Sequence, residues 1–153
     1  MSTSPFICPK VERALAGLIE AEVAGLSNVY TGLEHDVVNE DGEQTRRELP
    51  CVECVCQSSQ FDGHPSGSHI AQASVMVRAN ADDTTATEFE AQVKSVWDVL
   101  IVDNIADQLN TYGSDFYCDG VVWESQGWQI VGRSWVAELV MEIHCAGQTI
   151  PAE

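Results

Sequence analysis

The stretch CVECVC, residues 51–56, packs three of the chain's six cysteines into six positions. Three structures could use such a run: a zinc site, a disulfide framework, or a sheet strand with small sulfur side chains. Structural zinc takes tetrahedral ligands, usually as two closely spaced pairs held in turns. Only Cys51 and Cys54 have the C-x-x-C spacing, and no second pair follows. In an extended strand side chains alternate, so Cys51, Glu53 and Val55 lie on one face and Val52, Cys54 and Cys56 on the other. A ligand set drawn from Cys54, Cys56 and His64 or His69 is geometrically conceivable, but buried cysteines on strands are far commoner. Strand with free thiols is the reading adopted.

The rest of the chain extends that strand into a sheet. Upstream, Val11, Leu15, Leu18, Ile19 and Leu26 recur at helical spacing behind Pro9, which predicts a helix from about Pro9 to Gly25. Glu22 falls inside that apolar stripe. Val29 to Leu33 reads as a short strand, and the acidic segment 34–48 as the long loop of a β-hairpin leading to the strand that opens at Pro50. Residues 60–69, rich in Gly, Ser and Pro, form a loop. In IAQASVMVRAN, Ala71, Ala73, Val75, Val77 and Ala79 share one face. Thr85 with Glu88 makes a capping-box pattern that starts a helix from Ala86 to about Asn110.

The first half of that helix is amphipathic through Phe89, Val93, Val96, Trp97 and Leu100. In its second half Val99, Leu100, Ile101 and Val102 run consecutively, and Ile105 and Leu109 extend the apolar surface around the cylinder. Such a helix needs cover on more than one side. Loops, the first helix or a neighbouring subunit would supply it. After TYGSD two strands follow: FYCDGVVWES, and SWVAELVMEIHCA, in which Trp135, Ala137, Leu139, Met141, Ile143 and Cys145 alternate with more polar residues. The expected fold is α+β, a mostly antiparallel sheet of four to five strands with two main helices packed on it. No linker divides residues 1–153, and 146–153 form a short C-terminal tail.

Composition narrows the function. The chain has 153 residues, 44% of them hydrophobic, with 24 Asp and Glu against 7 Lys and Arg, a formal net charge of -17. Arg46 and Arg47 are the only adjacent basic pair, which argues against gripping nucleic-acid phosphates. Acidity of this kind first serves solubility. The start MSTSPFICPK has no signal-peptide pattern and no segment approaches a membrane span, so thiols kept in a reducing cytoplasm are expected. No Walker A, G-x-G-x-x-G, H-E-x-x-H or G-x-S-x-G pattern occurs. A cysteine nucleophile lacks positive surroundings to activate it. Trp97, Trp123, Trp128 and Trp135 come without the basic residues of a nucleic-acid stacking platform, and read as packing or subunit contact. No catalytic residue, cofactor or metal is assigned.

The order of VERALAGLIEAEV, LPCVECV after an acidic loop, ASVMVRANAD feeding FEAQVKSVWDVLIVDNIADQLN, and the closing GRSWVAELVMEIHC resembles the tail terminator and tail completion proteins of long-tailed bacteriophages. The resemblance spans nearly the whole chain and lies in order and pattern. It implies a virion protein, assembled in the host cytoplasm, that forms a hexameric ring on the tail tube, stops its growth and joins the tail to the head connector. Its partners would be further copies of itself, the tail tube protein and the connector or stopper protein; DNA would pass through without specific binding. Val99, Ile101, Val102, Ile105 and Leu109 would then meet the next subunit. Glu34, Asp36, Glu40, Asp41, Glu43 and Glu48 would line the lumen or touch the adjoining ring. The six cysteines lie outside the family pattern. A head-tail joining protein, and a small Cys/His metal-binding enzyme, are the alternatives.

Overall fold

In the computed structural model of the chain, the structure describes residues 6–25, 28–32, 37–38, 44–45, 49–61, 68–113 and 116–147. Helix α1 spans Ile7–Glu22. It begins two residues before Pro9, a first-turn position where a missing N–H costs nothing. It ends earlier than expected, with the Val23 N–H donating to the Ile19 carbonyl and Gly25 at φ 78. Val11, Leu15, Leu18 and Ile19 are fully buried, as their spacing requires. Glu22 is exposed and accepts a 2.8 Å hydrogen bond from the Tyr112 hydroxyl, so the misplaced carboxylate has a partner as well as water.

The main sheet has five strands in the order β1-β4-β5-β7-β6. These are β1 Val29–Thr31, β4 Cys51–Phe61, β5 Ser68–Asn80, β6 Phe116–Val131 and β7 Ser134–Gly147; β2 Val37–Val38 and β3 Gln44–Thr45 pair as a separate ribbon. All main-sheet pairings are antiparallel except one. β1 runs parallel to β4, with Val29 opposite Val52, and not antiparallel to it as the hairpin reading expected. A parallel pair needs a long crossover, which the segment between Gly32 and Pro50 supplies.

CVECVC is a strand, with Cys51 opposite Arg78 and Cys54 opposite Val75. Its Val52, Cys54 and Cys56 join Ala71, Ala73, Val75, Val77 and Ala79 of β5 and Ala137, Leu139, Met141, Ile143 and Cys145 of β7 in one buried face against the helices. The opposite face of β4 is also closed: Cys51 and Glu53 are buried, and Glu53 accepts from the Arg78 guanidinium at 2.5 Å. A bulge lies between Cys56 and Ser58, and the Cys56 N–H there donates 2.8 Å to the Glu12 carboxylate of α1. Gly32 passes close by; a Cβ at that position would stand 2.6 Å from the same oxygen.

The expected second helix is two. α2 covers Ala86–Leu100, capped by the reciprocal Thr85–Glu88 box, and α3 covers Ile105–Tyr112. The chain turns at 101–104, where Asp103 and Asn104 favour a break. One straight helix would spread Val99 to Leu109 around its circumference; the turn instead swings Ile105 and Leu109 into this chain's own core, 5% and 0% exposed. Both therefore lie in the core of this chain and not on its surface. Val99 and Val102 pack partly buried against the core, and Ile101 remains 46% exposed.

Unequal costs follow. Leu109→Ala should lower unfolding stability by about 2–5 kcal/mol through the cavity it leaves, whereas Ile101→Ala should stay within about 0.5 kcal/mol. Urea denaturation of both variants checks this, and equal losses would contradict the broken-helix packing.

Candidate assembly surface

Among the described residues β6 is the outer strand of the sheet, with β7 as its sheet neighbour. They are joined by a two-residue turn, Gly132 and Arg133, between the paired Val131 and Ser134; Gly132 takes φ 62, which a residue without Cβ adopts freely. The Arg133 carbonyl accepts from the Ala81 N–H at 2.8 Å and ties the hairpin tip to the end of β5. FYCDGVVWES was expected to be the strand. It continues through GWQIV to Val131.

The first half of this edge is closed off. The Asn110 side chain of α3 accepts from the Cys118 N–H at 2.6 Å and donates to the Cys118 carbonyl at 3.0 Å. Two bulges follow, at Asp119 and Glu124, both exposed carboxylates. Bulges and charges are the usual means of blocking edge-to-edge pairing. From Ser125 to Val131 there is no charge and no bulge. Antiparallel pairs alternate between hydrogen-bonded and non-hydrogen-bonded. Counting back from the tight turn, Ile130, Trp128 and Gln126 are the non-bonded positions, so their N–H and C=O groups point outward from the sheet. Tyr117, Val122, Trp128, Ile130 and Val131 of this strand are all at least half exposed, Ile130 at 55%.

Trp128 is held in place from beneath. Its ring stacks on Trp135 at 5.3 Å and on Phe89 of α2 at 6.3 Å, and Phe89 stacks on Trp135 at 5.8 Å. The Trp135 indole donates to the Thr84 carbonyl at 2.9 Å, and the Trp97 indole to the Gln126 side chain at 2.8 Å. Between α2 and β6 lies an open cleft of about 540 Å³, walled by Phe89, Val93, Trp97 and Trp128 and rimmed by Glu90, Lys94 and Asp98. Lys94 is paired to Asp98 at 2.6 Å. The arrangement is a rigid aromatic ledge beside an unpaired strand edge. It offers area and backbone hydrogen bonds.

Of the residues singled out in the sequence, Ile105 and Leu109 face inward, Ile101 is on the surface, and Glu34, Asp36, Glu40, Asp41, Glu43 and Glu48 lie outside the described residues. Trp128, Ile130 and Val131 were not anticipated as a surface. Their signal in the sequence is an uncharged run, SQGWQIV, next to a Gly-Arg turn.

All six cysteines are free thiols. Cys51 and Cys54 face opposite sides of β4, so the C-x-x-C pair cannot converge on one ion. Among the described residues no group of three or more His, Cys, Asp or Glu is arranged to hold a metal. Burial pushes the Cys54 and Cys56 thiols far up, Cys118 to about 11 and Cys145 to about 12. A protonated, enclosed thiol is a poor nucleophile.

No family model and no curated protein matches the chain. Among solved structures it is similar to a chain of one described as "Virion of native gene transfer agent (GTA) particle", with 14% identity over 87% of this chain and 84% of that one, at a TM-score of 0.49.

In native protein at pH 8, iodoacetamide should modify Cys8, the one thiol not buried, and spare the other five until denaturant is added. Intact mass spectrometry counts the adducts; rapid labelling of Cys118 or Cys145 would contradict their enclosure.

Proposed function

We propose that the chain is a non-catalytic structural subunit of a phage-like virion, closing into a hexameric ring that ends the tail tube and joins it to the head connector. The observation that carries this reading is the outer half of β6, where outward-pointing backbone groups at Gln126, Trp128 and Ile130 coincide with half-exposed apolar side chains on a rigid aromatic base. An uncapped apolar edge of this kind is a liability in a free monomer and an asset in an assembly. The order of elements, with the helix following β5 and the long hairpin closing the sheet, supports the same reading through the tail-terminator resemblance. The sheet's other edge is β1, at the opposite end. A head-to-tail contact between unlike surfaces is the type that closes rings.

Charge sets the conditions. Copies that each carry -17 repel one another, so association should strengthen as salt screens them. In the ring, part of that acidity would face the lumen and let DNA slide without sticking.

Light scattering across concentration and salt, with reductant present and with or without tail tubes, tests the proposal. The expected result is a hexamer, alone or on tube ends, favoured by salt. Ile130→Lys, an exposed edge position, should stay folded by circular dichroism and fail to assemble. A monomer or dimer indifferent to tubes would overturn the ring reading, and stoichiometric bound zinc would replace it with a metalloprotein.

A further inference from the structure

A ring subunit has no evident use for six cysteines, and two of them are placed with respect to each other in a particular way. Cys118 of β6 and Cys145 of β7 are direct cross-strand partners. Their pair is of the non-hydrogen-bonded type on two independent counts. Both main-chain groups of Cys118 are taken by the Asn110 side chain, so they point away from β7. Alternation counted from the Gly132–Arg133 turn along β7 also makes Cys145 a non-bonded position, like Trp135, Ala137, Leu139, Met141 and Ile143. In such pairs the Cα atoms approach to about 4.5 Å and the side chains stand side by side. A disulfide spans Cα separations of about 4.4–6.8 Å. Both side chains lie on the core face and are buried.

We propose that Cys118 and Cys145 form a disulfide site, oxidised by exchange with a small-molecule disulfide such as oxidised glutathione, that staples the outer strand to its neighbour at the base of the hairpin. The site stands on strand register and does not depend on the ring reading. In the first step one cysteine thiolate attacks a sulfur of the small disulfide, giving a mixed disulfide and releasing one small thiolate. The second cysteine thiolate then attacks the protein sulfur of that mixed disulfide and expels the other small thiolate. Two protein thiols are oxidised, one small disulfide is reduced to two thiols, and the two cysteine protons pass through solvent to the released thiolates. On forming the disulfide the Cys118 thiol gives up its hydrogen bond to the Gly120 carbonyl, 3.5 Å.

The closed fold restrains this reaction, since both thiols are enclosed and burial keeps them protonated. Exchange therefore waits on opening of the first residues of β6, and Asn110 is the clasp over them. Cys8 and Cys56 are the competing pair: the Cys8 side chain is among the groups that raise the Cys56 thiol's pKa, and Cys8 is partly exposed. The competition makes the assignment testable.

Full-length protein is equilibrated with oxidised glutathione, quenched in acid, alkylated, digested without reductant and mapped by mass spectrometry. The expected product is a Cys118–Cys145 linked peptide that accumulates with time and raises the urea midpoint of the oxidised protein. Asn110→Ala, by freeing the strand end, should speed its formation about tenfold. If both thiols stay fully alkylatable at equilibrium in the wild-type chain, the proposal is wrong. Linkage of either one mainly to Cys8, to Cys56 or to another copy would overturn it equally. Should Asn110→Ala fail to fold, the wild-type map alone decides.

Discussion

The fold is governed by a mismatch of lengths. At ~1.5 Å per residue α1, with 16 residues, is about 24 Å long. At ~3.3 Å per residue β6 and β7, with 16 and 14 residues, extend about 46–53 Å. One helix cannot cover a sheet twice its length, and apolar faces left open to water cost about 25 cal/mol per Å². The chain meets this with two further short helices set at different places. α3 packs beside α1 at the Cys118 end, and α2 lowers Phe89 onto Trp135 and Trp128 near the tip. The break at 101–104 is the corner between these two tasks. Beyond Phe89 the cover runs out, and Ile130 stands in solvent.

The same strand is guarded along one half and open along the other. Asn110, Asp119 and Glu124 close the first half with a side-chain clasp and two charged bulges, each enough to disfavour strand addition. No such device occurs from Ser125 to Val131, and the exposed aromatic there is pinned by two others and so loses little freedom on contact. Guarded and open halves on one strand confine any pairing to a defined length and register. That restriction matters in a chain whose charge opposes self-association everywhere else.

What was legible in the sequence was whatever depends on local alternation. β5, β7, the strand character of CVECVC and the Thr85–Glu88 cap all follow from side-chain period or a short capping pattern, and each agrees with the structure. Periodicity does not record direction in space. It showed that Val99 to Leu109 needed cover on several sides, but not that a corner at Asp103 and Asn104 would provide it from within. The parallel pairing of β1 was hidden because partner choice is non-local and the intervening segment resembled a hairpin loop. The end of β6 was hidden because Gln126 and Gly127, directly after the predicted strand, are weak strand formers, and the pairing with β7 overrides them. The open edge is thus the part least visible to pattern reading.

Glu12 gives α1 a second task besides filling the core. Its carboxylate accepts the Cys56 N–H where β4 bulges, while Gly32 leaves room for it. A strand with alternating faces has two frames, and a slip of one residue exchanges them. In the wrong frame Glu53 would enter the core, and Val52 and Cys54 would leave it. The Glu12 oxygen would also lose the Cys56 N–H that the bulge turns toward it. The helix thereby works as a phase reference for the strand beneath it, fixing which set of side chains counts as inside.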